Sequence, residues 1–298
     1  MPRTILLIDD DRLQFRLTEA LFRNFRGEHY ELDWAATYAD GLTKLLGGAY
    51  AACLLDFQLG ERDGLQLLRE AVAQGCRTPV VFLTAESSAH VDIEAMNAGA
   101  LDYLVKGELT PSALERSLRY ALKLGDTLEA LRLLATHDEL TGLLNRREFD
   151  RLLAQEVERA RRFAQPLGLV MADLDHFKSV NDQWGHQAGD EVLREVAVRL
   201  GASVRSVDWT ARLGGEEFGF LLVQADGASA CGAAERLREA VAGLPIVAQG
   251  RNLAITISLG VAVLPDHGSA GADLMAAADQ ALYAAKRAGR NRVIRAGT

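Results

Sequence analysis

Arg212-Leu213-Gly214-Gly215-Glu216-Glu217-Phe218 stands between two strand-like runs. Val207-Asp208-Trp209-Thr210-Ala211 precedes it, and Phe218-Gly219-Phe220-Leu221-Leu222-Val223 continues it. Paired glycines adopt the positive φ that tight turns need, so the stretch reads as a β-hairpin. Its turn, Gly214-Gly215, carries no side chains, and two acids follow at once. A bare turn beside carboxylates suits a hard cation such as Mg²⁺, which in turn holds phosphate oxygens. A solvated hairpin tip also uses Gly and Glu, so the companions of the stretch have to decide.

Upstream, His137-Asp138-Glu139-Leu140-Thr141-Gly142-Leu143-Leu144-Asn145-Arg146-Arg147 opens this half of the chain, with Thr141-Gly142 breaking the helical pattern. A helix over 146–162 leads to the strand Leu167-Gly168-Leu169-Val170-Met171-Ala172, closed by Asp173 and Asp175. Alternation at a strand end puts both acids on one side, where the hairpin acids can join them. Phe177-Lys178, Asn181-Asp182, Gly185-His186 and Gly189-Asp190 follow, then an amphipathic helix over 191–204. A strand at 254–261 and a helix over 272–287 come after the hairpin. Mixed β-α order around a central antiparallel hairpin predicts an α+β, palm-like sheet.

The amino-terminal half has a different rhythm. Thr4-Ile5-Leu6-Leu7-Ile8, Tyr50-Ala51-Ala52-Cys53-Leu54-Leu55, Pro79-Val80-Val81-Phe82-Leu83 and Asp102-Tyr103-Leu104-Val105 are short apolar runs with helical patterns between them. Such runs predict strands buried on both faces of a parallel sheet, hence an α/β doubly wound domain. Ligands gather at the carboxyl ends of such strands, and these runs end in Asp9 and Asp10, Asp56, Thr84 and Lys106. Helix capping explains one or two such residues; it does not explain a lysine and three acids at corresponding ends. The chemistry fits a Mg²⁺-dependent aspartyl phosphate, with Asp9 and Asp10 holding the metal and Asp56 the nucleophile. Thr84 and Lys106 then grip the phosphoryl oxygens.

Between the halves, Thr110-Pro111-Ser112 starts a helix. Leu114, Ser117, Ala121, Leu124, Leu128, Leu131 and Ala135 follow at alternating spacings of three and four. That spacing is the seam of a two-stranded coiled coil, weakened at Ser117 and the alanines, and it predicts a long helix that pairs in a dimer. Packing on the preceding domain is the competing use of its first half, and Gly125 reads as a flexible point.

Composition limits the rest. With 298 residues, 49% hydrophobic and 25% charged, the chain is long enough for two cored domains. A net charge of −8 argues against nucleic acid and anionic membranes as partners. No apolar run approaches a membrane span, and Met1-Pro2-Arg3 runs straight into a strand, so a cytoplasmic protein is expected. Cys53, Cys76 and Cys231 read as reduced packing residues, and the six histidines lack metal-ligand spacing.

Two resemblances sharpen these readings. Residues 1–122 resemble the receiver domains of two-component response regulators through Ile8-Asp9-Asp10-Asp11, Leu55-Asp56 with Asp63-Gly64, Leu83-Thr84-Ala85 and Tyr103-Leu104-Val105-Lys106. That implies a flavodoxin-like fold, phosphorylation of Asp56 by a histidine kinase with one Mg²⁺, and a switch in which Tyr103 moves with Thr84. Gly107 departs from the family, which usually has proline after the lysine, and the cis peptide expected there is in doubt. Residues 123–136 form a helical linker. Residues 137–298 resemble the GGDEF domains of diguanylate cyclases. The matching blocks are Asp138-Glu139-Leu140-Thr141-Gly142-Leu143 with Asn145-Arg146, the 173–190 segment, Arg212 to Phe218, and Lys286-Arg287-Ala288-Gly289-Arg290-Asn291.

The second resemblance implies that two GTP condense into cyclic di-(3′→5′)-GMP with release of two pyrophosphates. By position, Asp173, Glu216, Glu217 and the carbonyl of Leu174 would hold two Mg²⁺, with Glu216 the candidate base. Gly214 and Gly215 admit the nucleotide. Asn181 and Asp190 would read guanine, His186 would help position the nucleotide, and Lys178, Lys286 and Arg290 would neutralise phosphate. One site binds one GTP, so a homodimer must face two half-sites, and receiver phosphorylation would act on that pairing. Arg205-Ser206-Val207-Asp208 matches the family's R-x-x-D site for inhibitory product, with Arg236 as a further contact. The competing reading is a non-catalytic module that binds GTP or cyclic di-GMP and signals to a partner.

Overall fold

The computed structural model describes residues 3–85 and 89–297; Met1 and Pro2, read above as leading into the first strand, lie outside them. The chain folds as two units, Met1–Leu131 and Arg132–Thr298. No described helix is long and apolar enough to cross a membrane.

In the first unit the strands are β1 (Arg3–Ile8), β2 (Tyr30–Ala35), β3 (Ala52–Asp56), a small ribbon of β4 (Gln58–Leu59) and β5 (Arg62–Asp63), β6 (Val80–Thr84) and β7 (Asp102–Val105). Helices α1 (Arg12–Phe22), α2 (Tyr38–Leu46), α3 (Gly64–Ala73), α4 (Ala89–Asn97) and α5 (Pro111–Thr136) alternate with them. The main sheet is parallel, in the order β2-β1-β3-β6-β7, which is the doubly wound, flavodoxin-like arrangement. Its central strands bury both faces: Leu6, Ile8, Leu55 and Phe82 on one side, Ile5, Leu7, Leu54 and Val81 on the other. The edge strand β2 escapes the sequence reading, because Tyr30-Glu31-Leu32-Asp33 mixes acids with apolar residues where one strand flank meets water.

Helix α5 is continuous over 26 residues. Leu114, Leu118, Ala121 and Leu122 join the core of the first unit, so the early seam positions pack on their own domain. Ser117 is buried and donates to Asp102 Oδ2 at 2.6 Å, which gives it an internal partner. Gly125 is not a flexible point: a Cβ there would stand 2.3 Å from Pro79 Cγ, so its bareness lets the helix lie on that proline. From Leu124 on, Leu124, Leu128, Leu131 and Leu134 are 44–57% exposed.

The second unit contains α6 (Arg146–Phe163), β8 (Leu167–Leu174), α7 (Phe177–Trp184), α8 (His186–Ala202), β9 (Trp209–Gly214), β10 (Glu217–Val223) and α9 (Gly227–Ala242). A ribbon of β11 (Ile246–Ala248) and β12 (Arg251–Leu253), then β13 (Ile257–Leu264), α10 (Gly271–Arg287) and β14 (Val293–Arg295) complete it. The sheet runs β14-β13-β8-β10-β9, antiparallel except for β13 with β14. The α+β, palm-like class is as expected, with β8 at the centre and the hairpin at one edge. On one face Val170, Ala172, Phe218 and Phe220 pack with α8 and α9 residues such as Val192 and Leu237. On the other Leu169, Met171 and Leu221 meet Phe149 of α6 and Leu282 of α10. Helix α10 lies against β13 at Gly260, where a Cβ would come 2.2 Å from Ala278 O and Leu282 N.

Two elements differ from the sequence reading. Residues 177–184, to which the sequence reading assigned no element, form α7, and α8 begins at His186, five residues before the expected start. Gly185 at φ 80° separates the two helices, and Gly189 lets them touch, since a Cβ there would meet Asn181 Oδ1 at 2.0 Å. The glycines that look like loop markers in sequence serve a helix–helix contact instead.

Candidate functional sites

In the first unit, the carboxyl ends of β1, β3 and β7 bring Asp9, Asp10, Asp56 and Lys106 together. Carboxylate oxygens of Asp9, Asp10 and Asp56 all lie within 4.8 Å of one another. Lys106 Nζ donates to Asp9 Oδ2 at 2.8 Å and reaches Asp56 Oδ1 at 2.9 Å. Asp9 and Asp56 are buried and Asp10 is exposed, so the cluster has one wet side. Burial pushes Asp56 up to about 6, with Asp9 adding to it and the Lys106 hydrogen bond opposing. Lys106 is held above its ordinary value; burial alone would lower it, but both carboxylates outweigh that. Three crowded acids with one raised pKa are a donor set short of positive charge, which fits a hard divalent cation. Thr84 is buried at the end of β6, and Tyr103 is half-buried in β7. The peptide after Lys106 is not cis; Leu264–Pro265 is the cis bond among the described residues.

In the second unit the signature turn is bare. Gly214 and Gly215 have φ of 152° and 48°, and nothing stands within 4 Å of where their Cβ atoms would be. Glu217 faces Asp173 across the β10–β8 pairing, so both side chains leave the same face of the sheet. Leu174 is buried and its N–H donates to Glu216 O at 3.2 Å, which closes the turn onto the end of β8. Asp173 Oδ2 pairs with Lys286 Nζ of α10 at 2.8 Å. Burial raises Asp173, aided by Asp175 and opposed by Lys286 and Arg290. Burial likewise raises Glu216, with Asp173 next in effect. Glu216, Glu217 and Asp173 do not close to the 4.8 Å that the receiver acids reach. Two carboxylates with raised pKa beside an open turn still form a site that a cation would relieve.

The other expected residues spread around this turn. Asn181 on α7 and Asp190 on α8 are half-buried on the paired helices, while Lys178, His186 and Arg290 are exposed. Asp208 accepts from Val223 N at 3.0 Å and from Arg205 N at 3.3 Å, so its carboxylate shapes the approach to β9. The Arg205 side chain is exposed, and Arg236 on α9 donates to Gly232 O of its own helix.

Sequence reasoning missed the brace behind the turn. Arg212 Nη1 donates to both oxygens of Asp138, at 3.0 and 3.2 Å. Its Nε and Nη2 donate to Gly215 O at 3.0 and 2.7 Å. One planar guanidinium thus ties the segment after α5 to the carbonyl of the signature turn. Burial would raise the Asp138 carboxyl, but hydrogen bonds from Thr141 and Arg212 hold it below its ordinary value. Asp138 and Arg212 lie 74 positions apart, so no local pattern announces the pair.

The family profile described as "Diguanylate cyclase, GGDEF domain" matches residues 135–292, and that for the "Response regulator receiver domain" matches 5–119. The response regulator PleD of Caulobacter vibrioides is 43% identical over 225 residues, which are 72% of this chain and 49% of that protein. Diguanylate cyclase DosC of Escherichia coli is 41% identical over 157 residues, 52% of this chain and 34% of that one. The chain spans about half or less of the length of such curated relatives. The crystal structure of the coiled coil and GGDEF domain of DgcB from Caulobacter crescentus, in complex with c-di-GMP, is 36% identical with a TM-score of 0.57. It covers 62% of this chain and 98% of that one.

Proposed function

Because this chain belongs to the GGDEF diguanylate cyclase family and carries a response-regulator receiver domain, we propose that it is a phosphorylation-controlled diguanylate cyclase. It condenses two GTP into cyclic di-(3′→5′)-GMP and releases two pyrophosphates, acting in the cytoplasm. The observation that carries this reading is the bare Gly214-Gly215 turn, with Glu216 and Glu217 beside it and Asp173 in register across the sheet.

Each half-site holds one GTP. Asn181 and Asp190 present an amide and a carboxylate suited to the guanine edge, His186 helps position the nucleotide, and Lys178, Lys286 and Arg290 take the phosphates. The glycine turn lets the triphosphate approach the backbone. Asp173, Glu216, Glu217 and the Leu174 carbonyl are the groups that would hold Mg²⁺. Two such ions, when bound, lower the pKa of a 3′-hydroxyl and balance charge on the departing pyrophosphate. In each half-reaction the 3′-oxygen of one GTP attacks the α-phosphorus of the other. A P–O ester forms, the bond to pyrophosphate breaks, and the hydroxyl proton leaves to a base, for which Glu216 is the candidate. Burial raises its pKa above the ordinary carboxylate value, which makes it a stronger base than a solvated glutamate.

Two half-sites require two chains. The exposed leucines of α5 support pairing of its second half in a homodimer. A histidine kinase would phosphorylate Asp56 with one Mg²⁺ on Asp9, Asp10 and Asp56, and Thr84, Tyr103 and Lys106 would read the new phosphoryl group. Product bound at Arg205, Asp208 and Arg236 would restrain the active pairing. Purified protein incubated with GTP and Mg²⁺ is expected to yield cyclic di-GMP and pyrophosphate, and Glu216→Ala is expected to yield neither. Binding of GTP without turnover in the wild type would instead establish a signalling module.

A further inference from the structure

Asp175 belongs to none of the roles above, yet both of its carboxylate oxygens are held by hydrogen bonds. Its carboxylate is 5% exposed and accepts three hydrogen bonds. Ser258 Oγ donates to Oδ1 at 2.7 Å, and Thr256 Oγ1 donates to Oδ2 at 2.7 Å. The backbone N–H of Asn291, 116 positions away, donates to Oδ2 at 3.0 Å. Two donors come from beside and within β13; the third comes from the turn that follows α10.

That turn is conformationally strained. Gly289, Arg290 and Asn291 have φ of 112°, 63° and 44°. Among the described residues, no other two consecutive non-glycine residues share the left-handed region. Such backbone relaxes unless its surroundings hold it. Asp175 holds it from the sheet side. From the other side Arg238 of α9, steadied by Glu235 at 2.6 and 2.8 Å, donates to Asn291 Oδ1 at 2.9 Å. Both anchors hold Asn291; the residue directly before it is Arg290, whose charge already acts on Asp173, and α10, which leads into the turn, delivers Lys286 onto Asp173.

We propose that Asp175 is a positioning residue for the triphosphate: it locks the 289–291 turn so that Arg290 and Lys286 present their charges to the phosphates of GTP. The inference rests on the cyclase reading and deepens it. Asp175 touches neither substrate nor reacting atoms; it acts through the turn. An asparagine can do the same work. Its Oδ1 accepts from Asn291 and Thr256, and its Nδ2 donates to Ser258, whose hydroxyl accepts as readily as it donates. An alanine removes all three of these hydrogen bonds and leaves the turn only its Arg238 anchor.

The test uses the full chain and 3′-deoxy-GTP, which carries the triphosphate but lacks the attacking hydroxyl, with inorganic pyrophosphate as a second probe. Affinity is measured by calorimetry, alongside hydrogen exchange of the peptide spanning 286–295. Asp175→Ala is expected to bind both probes at least about tenfold more weakly and to exchange the Asn291 amide faster. Asp175→Asn is expected to stay within about threefold of wild type on both counts. Equal affinity for wild type and Asp175→Ala overturns the inference and leaves the cyclase reading standing. A wild type that binds neither probe overturns both. If Asp175→Ala does not fold, Arg238→Met frees the same turn from its other side with Asp175 in place. It should weaken 3′-deoxy-GTP at least about threefold; unchanged affinity overturns the inference.

Discussion

Replacing Asp56 by asparagine should stabilise the receiver unit. The carboxylate is 6% exposed, and burial, with Asp9 beside it, lifts its pKa from 3.8 to about 6 against the pull of Lys106. A rise of roughly two units means that the ionised group costs the fold about 3 kcal/mol at neutral pH. Asparagine removes that cost at nearly equal volume. Lys106 exchanges a charged partner at 2.9 Å for a neutral amide oxygen and keeps Asp9 at 2.8 Å, so the net gain shrinks to about 1–2 kcal/mol. The sign with pH follows from the direction of the shift. Because the folded pKa is raised, the proton favours the folded state: the penalty is absent below about 3.8 and complete above about 6. The gap between variant and wild type should therefore open from near zero at pH 4 to its full size at pH 7. Native-state hydrogen exchange of β1 and β3 amides in the full-length chain, with chelator present, reads this directly. At pH 7 the variant amides should exchange roughly 5–30 times more slowly. Added Mg²⁺ should narrow the difference by binding the folded wild type. Equal protection at pH 7, or a less protected variant, would show that the buried charge is not a burden on the fold.

Three further outcomes are expected. Arg212→Lys keeps the charge but not the fork between Asp138 and Gly215, so cyclic di-GMP formation should fall at least about tenfold with the thermal midpoint moved only a few degrees; undiminished turnover would strip the brace of its role. Gly189→Ala sets a methyl 2.0 Å from Asn181 Oδ1, so the Asn181 side chain must turn away and GTP should bind about tenfold more weakly by calorimetry. Unchanged binding there would separate Asn181 from the nucleotide. Leu128→Glu with Leu131→Glu places charges on the exposed stripe of α5 and should leave the chain monomeric in sedimentation and without turnover; a dimer of ordinary activity would move the pairing surface elsewhere.

What could be read in advance was what repeats locally or sits at an element's end. The apolar runs gave β1, β3, β6 and β7 because central parallel strands bury both faces, while β2 stayed hidden because Glu31 and Asp33 blur an edge strand. The hairpin was legible because Gly214-Gly215 announces a turn. Helix α7 was not, since Asn181 and Asp182 resemble loop residues until Gly189 is seen to admit the neighbouring helix. Ser117 looked like a flaw in a seam and proved to be a buried partner of Asp102. The contacts of Arg212 with Asp138 and of Asp175 with Asn291 join positions 74 and 116 apart, and only folding brings them into view.

The seat of α10 on β13 carries a consequence for heredity. At Gly260 an added Cβ would meet backbone atoms, Ala278 O and Leu282 N, rather than a side chain able to swing aside. Every amino acid one base change away from a glycine codon has a Cβ. The position therefore has no neighbouring genotype that keeps the helix in place, and the same helix delivers Lys286 to Asp173. Gly260 can change only together with its neighbours across the helix, so a lone substitution there should be lost from descendants of this gene.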